Sequence, residues 1–157
     1  MFLNLTESPE ILSLVVPIVR LSHAPDDLPC YATAGAAGMD LCLAGESVTL
    51  TPGDRKLLPT GFQIAIPAGY EGQVRLRSGF ARRTGCFMPN APGTIDSDYR
   101  GELLVLLMNG SNETVVIERG ERFAQLVISS VERVEWRSEI ELTDSHRGSG
   151  GFGSTGR

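Results

Sequence analysis

The sequence predicts an all-β domain, a sandwich or barrel with one short helix. Three observations carry this: apolar periodicity in short, strand-length runs, turn residues between them, and an excess of glycine. Residues 15–21, 47–50, 62–66, 73–77 and 114–117 each read as a strand of four to seven residues. Residues 103–108, Leu-Leu-Val-Leu-Leu-Met, are apolar at every position, which predicts a central strand buried on both faces. Residues 123–128 follow as a strand, and alternation resumes over 131–136, predicting one more. Proline, glycine and asparagine mark turns at 51–54, 67–69, 109–112 and 118–121. The phrases Thr-Leu-Thr-Pro-Gly-Asp at 49–54 and Val-Ile-Glu-Arg-Gly-Glu at 116–121 predict equivalent corners, though they are too short for a repeat. Glycine makes up 18 of 157 residues, about one and a half times the average share.

Two segments depart from this pattern. Residues 78–85, Ser-Gly-Phe-Ala-Arg-Arg-Thr-Gly, predict a helix of one to two turns, with Ser78 as its N-cap and Gly85 at its end. Residues 145–157 join five glycines, one phenylalanine and small polar residues. Ordering a residue costs roughly 1–2 kcal/mol, so this terminus predicts a mobile tail unless something holds it.

Composition bounds the function. The length suits one domain, and 41% hydrophobic against 21% charged residues excludes global disorder. Fourteen Lys+Arg against 19 Asp+Glu give a net charge of −5, which argues against a protein that coats nucleic acid. A local cluster such as Arg75, Arg77, Arg82 and Arg83 can still attract a small anion. Cys30, Cys42 and Cys86 are odd in number and form no C-x-x-C pair. With no secretory pattern at the start, reduced thiols and a cytoplasmic setting are expected. No run of 18 apolar residues predicts a membrane span. His23 and His146 stand apart, without H-x-E or C-x-x-C, which excludes a zinc deaminase site.

Five constellations could carry chemistry. Leu-Arg-Ser-Gly-Phe at 76–80 runs from a strand into a helix start, where Arg77, the Ser78 hydroxyl and free backbone N–H groups suit phosphate oxygens. Gly-Thr-Ile-Asp-Ser-Asp-Tyr-Arg-Gly at 93–101 offers carboxylates beside such a site. If extended, it places Asp96 and Asp98 on one face and Tyr99 on the other, with a carboxylate able to bind metal or take a proton from water. Ala-Gly-Ala-Ala-Gly-Met-Asp-Leu at 34–41 sets Asp40 among small and apolar residues. Gln125 stands in the apolar run Gly-Glu-Arg-Phe-Ala-Gln-Leu at 120–126. The tail brings Arg147, Phe152, Ser154 and Thr155. Taken singly, each also reads as ordinary structure: a capping serine, a polar hairpin, a turn aspartate, a buried glutamine bonded to backbone, a disordered terminus.

Taken together and in order, the five resemble the motifs of the homotrimeric deoxyuridine triphosphatases (dUTPases), over residues 16 to 157. The resemblance implies a β-clip, distorted jelly-roll subunit and a homotrimer whose three active sites are each built from all three chains. It implies Mg²⁺-dependent hydrolysis of dUTP to dUMP and pyrophosphate by water attack on the α-phosphorus, limiting uracil in DNA and supplying dUMP. By the same resemblance Asp96 is the general base, and Arg77, Ser78 and Gly79 clamp the triphosphate. Mg²⁺ rides mainly on the phosphates, reached by Asp40 through water, and Gln125 lies near them. The segment from Asn90 through Thr94 and Ile95 to Asp96 reads the uracil edge, rejecting thymine by shape and cytosine by mismatched hydrogen-bond groups. Tyr99 lies under the deoxyribose and excludes a 2′-hydroxyl, and Leu104 contacts substrate. The tail closes with Phe152 over the uracil, Arg147, Ser154 and Thr155 on the phosphates, and Gly153 among the binding residues. The chain divides into an extension at 1–14 without assigned role, a β-clip domain at 15–143 and a glycine-rich lid at 144–157. One departure is the pair of prolines in residues 86–92, although Asn90 keeps its spacing to Asp96. Two other readings compete: a dCTP deaminase-like enzyme, for which Glu102 before the central strand is the candidate base, and a non-catalytic nucleotide-binding trimer that regulates a partner.

Overall fold

A computed structural model describes residues 14–151. Its strands are β1 (Ile18–Arg20), β2 (Met39–Cys42), β3 (Val48–Leu50), β4 (Arg55–Ile64) and β5 (Tyr70–Leu76), then, after helix α1 (Ser78–Thr84), β6 (Cys86–Phe87), β7 (Gly93–Ile95), β8 (Glu102–Asn109), β9 (Val115–Ile117) and β10 (Arg122–Ser130). Among the described residues they form two four-stranded antiparallel sheets, ordered β1-β4-β8-β6 and β2-β10-β5-β7, and a two-stranded sheet β3-β9. The all-β architecture with one short helix is therefore as expected.

Alternation decides which faces meet. On β8, Leu103, Val105, Leu107 and Asn109 are buried, and on β10 so are Phe123, Ala124 and Leu126. Leu41, Leu43, Leu58 and Ile64 fill the space with them. Phe80 carries α1 onto this core by an edge-to-face contact with Phe123, ring centroids 6.0 Å apart. Asn109 is fully buried because every group it brings is bonded: its Nδ2 donates to the carbonyls of Leu50 and Glu113, and its Oδ1 accepts from Ser111 N–H and Oγ–H.

The two corners are indeed equivalent. Each follows one strand of the β3-β9 pair and turns through a glycine at positive φ, Gly53 at 83° and Gly120 at 79°. In each, the acid that ends the phrase reaches back to the first turn residue: Asp54 accepts from Thr51 N–H at 2.8 Å, Glu121 from Glu118 N–H at 3.1 Å.

Four expectations need correction. β8 is central in its sheet but buried on one face only, since Leu104 is 39% exposed in the single chain. No strand forms over 131–136, and residues 131–151 carry no strand or helix. Val131 N–H donates to the Gly69 carbonyl at 2.9 Å, but no strand among the described residues pairs with 132–136, and Trp136 is 94% exposed. Arg77, not Ser78, is the N-cap of α1 and makes no side-chain cap bond. Ser78 lies one residue inside the helix because Arg77 N–H is already bonded to the Phe123 carbonyl, holding the chain extended up to that point. Finally, 96–98 is not extended: Tyr99 N–H donates to the Asp96 carbonyl at 3.1 Å, closing a turn.

Candidate functional site

Groups suited to an anion gather at the end of the β2-β10-β5-β7 sheet. Strand β5 delivers Arg77 to the start of α1, whose first turn presents N–H groups without intrahelical partners and contains no acid. Asp40 arrives on β2, directly across from Gln125 on β10, and Gln125 pairs on its other side with Arg75 of β5. Around them lies a cavity of about 600 Å³ lined by Asp40, Arg77, Ser78, Gly79, Arg83, Glu121, Arg122 and Gln125. Arg77 Nε meets Asp40 Oδ1 at 2.9 Å, and Arg122 meets Oδ2 at 3.2 Å. Arg83 pairs with Glu121, and its guanidinium sits over the Phe80 ring. Gln125 Nε2 donates to the Leu76 carbonyl at 3.2 Å. Its side chain fills the space above Gly38, where any Cβ would overlap Gln125 Oε1. Behind Asp40, burial pushes the Cys42 thiol up, against the pull of Arg122.

A second, smaller cavity of about 220 Å³ lies elsewhere, lined by Asn90, Gly93, Thr94, Ile95, Asp96, Tyr99 and Leu104 together with Val74 and Met88. The segment between β6 and β7 supplies Met88 and Asn90 to it, and β7 supplies Gly93, Thr94 and Ile95. Both prolines are accommodated in the connecting turn, where the Ala91–Pro92 bond is cis. Tyr99 lies across Gly101 and donates its hydroxyl to the Glu102 carbonyl at 2.9 Å.

The chain thus holds two separate cavities. Ile95 pairs with Gly72 near the start of β5, whereas Arg77 follows its last residue. Five residues at about 3.3 Å each separate the two, roughly 17 Å. Within one subunit Asp96 and the Arg77 cavity do not meet. Arg147 is not brought to either: it is exposed and donates to the Gly150 carbonyl. Phe152, Gly153, Ser154 and Thr155 lie outside the described residues.

A family model described as dUTPase matches residues 24–156. The chain belongs to the dUTPase family. A deoxyuridine 5′-triphosphate nucleotidohydrolase of Anaeromyxobacter sp. (strain Fw109-5) is 59% identical over 133 residues, spanning 85% of this chain and 90% of that protein. The dUTPase of Staphylococcus bacteriophage 80alpha, solved with dUpNHpp, superposes with a TM-score of 0.84 at 28% identity, over 92% of this chain and all of that one. The dUTPase of S. aureus phage phi11, described with a structural Mg(II) ion, reaches a TM-score of 0.75 at 24% identity over 83% of this chain and all of that one, a likeness of fold. With these relatives the chain is a dUTPase-family enzyme, and hydrolysis of dUTP is the activity that membership carries. The jelly-roll-like subunit expected from the motifs is the fold observed.

The motif at 120–126 contains Glu121 and Arg122, and the arginine cluster contains Arg83, but the sequence assigns none of the three a role in the first cavity. Arg122, Arg83 and Glu121 line it, and Arg122 shares Asp40 with Arg77. Arg122 stands 82 residues from Asp40, so no local spacing links them. The one available signal is that both flank strands with a lone polar residue, and it names no partner. Glu102, weighed as a deaminase base, is spoken for: its Oε1 accepts from His23 Nε2–H at 2.8 Å and from Gly61 N–H at 2.7 Å.

Proposed function

We propose that the chain acts as a cytoplasmic homotrimer that hydrolyses dUTP to dUMP and pyrophosphate by water attack on the α-phosphorus. The observation that supports this reading is that the Arg77 cavity and the Asp96 cavity are separate within one chain and share no lining residue. Taken as half-sites, one has the groups for a triphosphate and the other those for a nucleoside. Joining halves from neighbouring subunits makes a whole site.

In the nucleoside half, backbone groups between Asn90 and Asp96 complement the uracil edge, Tyr99 lies against the sugar, and Leu104 closes the floor. Asp96 takes the proton of the attacking water, a role that requires an exposed carboxylate at the rim, as this one is. In the phosphate half, Arg77 and the N–H groups at Ser78 and Gly79 hold the charge that develops on the phosphates. Gln125 orients them. The tail supplies Phe152 to stack on the base, with Arg147, Gly153, Ser154 and Thr155 following onto the nucleotide. We assign residues 1–14 no role, 15–143 to the catalytic domain and 144–157 to the lid.

The donor set fits a Mg²⁺ that arrives on the nucleotide. Among the described residues no three His, Cys, Asp or Glu side chains gather to hold a metal ion. The cavity's three arginines face two carboxylates, a surplus of one positive charge, too little for a triphosphate alone. Mg²⁺ brought by the nucleotide would neutralise phosphate charge there, and Asp40 is the carboxylate that would hold its water.

Product analysis with dUTP, UTP, dCTP and dTTP, with and without Mg²⁺, tests the reading. Pyrophosphate and dUMP from dUTP, with little from the others and a collapse in EDTA, are expected. Ammonia from dCTP would point to the deaminase reading instead.

A further inference from the structure

The pair His23–Glu102 has no part in the chemistry above, yet it touches the one residue whose other end holds Tyr99. Strand β4 bulges between Pro59 and Gln63, where its register against β8 shifts. The bulge leaves Gly61 at φ 80° with its N–H turned away from the ladder, and the Glu102 carboxylate accepts that N–H. The Thr60 hydroxyl donates to the Leu103 carbonyl at 2.8 Å, so both first residues of β8 are tied to the bulge. A turn at 21–24 docks on the same place. Leu21 N–H donates to the Gly61 carbonyl, and Ala24 lies so close over Gly61 that a Cβ there would overlap its backbone. This turn aims His23 at Glu102. Glu102 is therefore held at its side chain by two donors, while its carbonyl accepts the Tyr99 hydroxyl.

We propose that Glu102, braced by His23, is a positioning residue that sets the angle of the Tyr99 ring and thereby the discrimination between 2′-deoxyribose and ribose. The inference rests on the reading that Tyr99 lies against the sugar. The ring has two supports, Gly101 beneath it and the carbonyl at its hydroxyl. A ring that must exclude one oxygen atom needs both, because a tilt of about an ångström opens that space.

The test compares kcat/KM for dUTP with that for UTP in the full chain. His23→Ala is the main variant, since it leaves the Glu102–Gly61 bond in place. Thermal unfolding and sedimentation then check that the protein is intact. Loss of one bracing hydrogen bond predicts a fall of about five- to tenfold in the dUTP/UTP ratio, with the dUTP value itself little changed. Tyr99→Phe predicts a similar fall, and adding His23→Ala to it predicts no further fall. Glu102→Gln, whose amide oxygen can accept both donors, predicts a wild-type ratio. An unchanged ratio in His23→Ala beside a lowered one in Tyr99→Phe overturns the proposal, as do additive effects in the double variant. If Tyr99→Ala itself leaves the ratio unchanged, the sugar reading is wrong and the positioning role falls with it.

Discussion

Asp96 stands where β7 ends and a turn begins, and this boundary explains how a carboxylate can be both exposed and fixed. The Tyr99 N–H bond to its carbonyl closes the turn and orients the backbone that carries it. Replacing the carboxylate by an amide of the same shape leaves these backbone bonds intact and removes only the ability to accept water's proton. Asp96→Asn is therefore expected to bind a non-hydrolysable dUTP analogue nearly as wild type while turnover falls ~10²–10⁴-fold, the usual worth of a general base. Calorimetric titration with single-turnover kinetics separates the two effects. A variant keeping more than half of the wild-type rate removes Asp96 from the role. At the same scale, Gly38 and Gly101 owe their identity to neighbours: one lies under Gln125 and the other under Tyr99, and neither leaves room for a Cβ.

Among elements, the paired corners after β3 and β9 show how a turn uses its final acid. Hydrogen bonds from the Thr51 hydroxyl and N–H hold the Asp54 carboxyl below its ordinary range. The folded value is the lower one, so the stabilisation is present above the unfolded value of about 3.9 and is lost as pH falls through the folded value. Asp54→Asn is accordingly expected to melt slightly lower than wild type at pH 7, with the difference closing below about pH 4. Melting curves across pH 2–7 check the sign. On the proposed reading the terminus makes the opposite case, an element whose worth is catalytic. Residues 148–157 contain five glycines and no β-branched aliphatic residue, so their deletion is expected to leave folding intact. Aromatic stacking on a base contributes ~1–3 kcal/mol, partly offset by the cost of ordering glycines. Truncation should thus weaken dUTP binding modestly and slow turnover strongly. Full turnover in the truncated protein would make the terminus a tail without function.

On the scale of the whole molecule, one subunit leaves too much apolar surface in water. Leu57 and Leu104 are exposed on the outer face of the β4-β8 pair, and Val134, Trp136, Ile140 and Leu142 lie bare along the last twenty described residues. Large apolar side chains left bare in such number are what an interface between chains would cover. Together with the two separate cavities, this leads us to expect a trimer in solution. Sedimentation equilibrium should give three times the mass of one chain, and activity should fall with dissociation on dilution. A fully active monomer would contradict both the assembly and the shared site.

By itself the sequence determined the class of fold, the helix at 78–84 and the order of the five motifs. All three depend on short-range rules: alternation, glycine and proline chemistry, and contiguous residue identity. Three decisions belonged to tertiary structure. Alternation over 131–136 reads as a strand, but a strand exists only where another lies beside it, and the described residues offer none. Asp40 reads as a turn residue among small neighbours, but pairing with β10 draws it into a strand and sets two arginines on it. Glu102 reads as a candidate base, and it becomes a brace because the bulge in β4 leaves the Gly61 N–H without its ladder partner. In each case what decides is a partner dozens of residues away, present or missing, beyond the reach of local pattern.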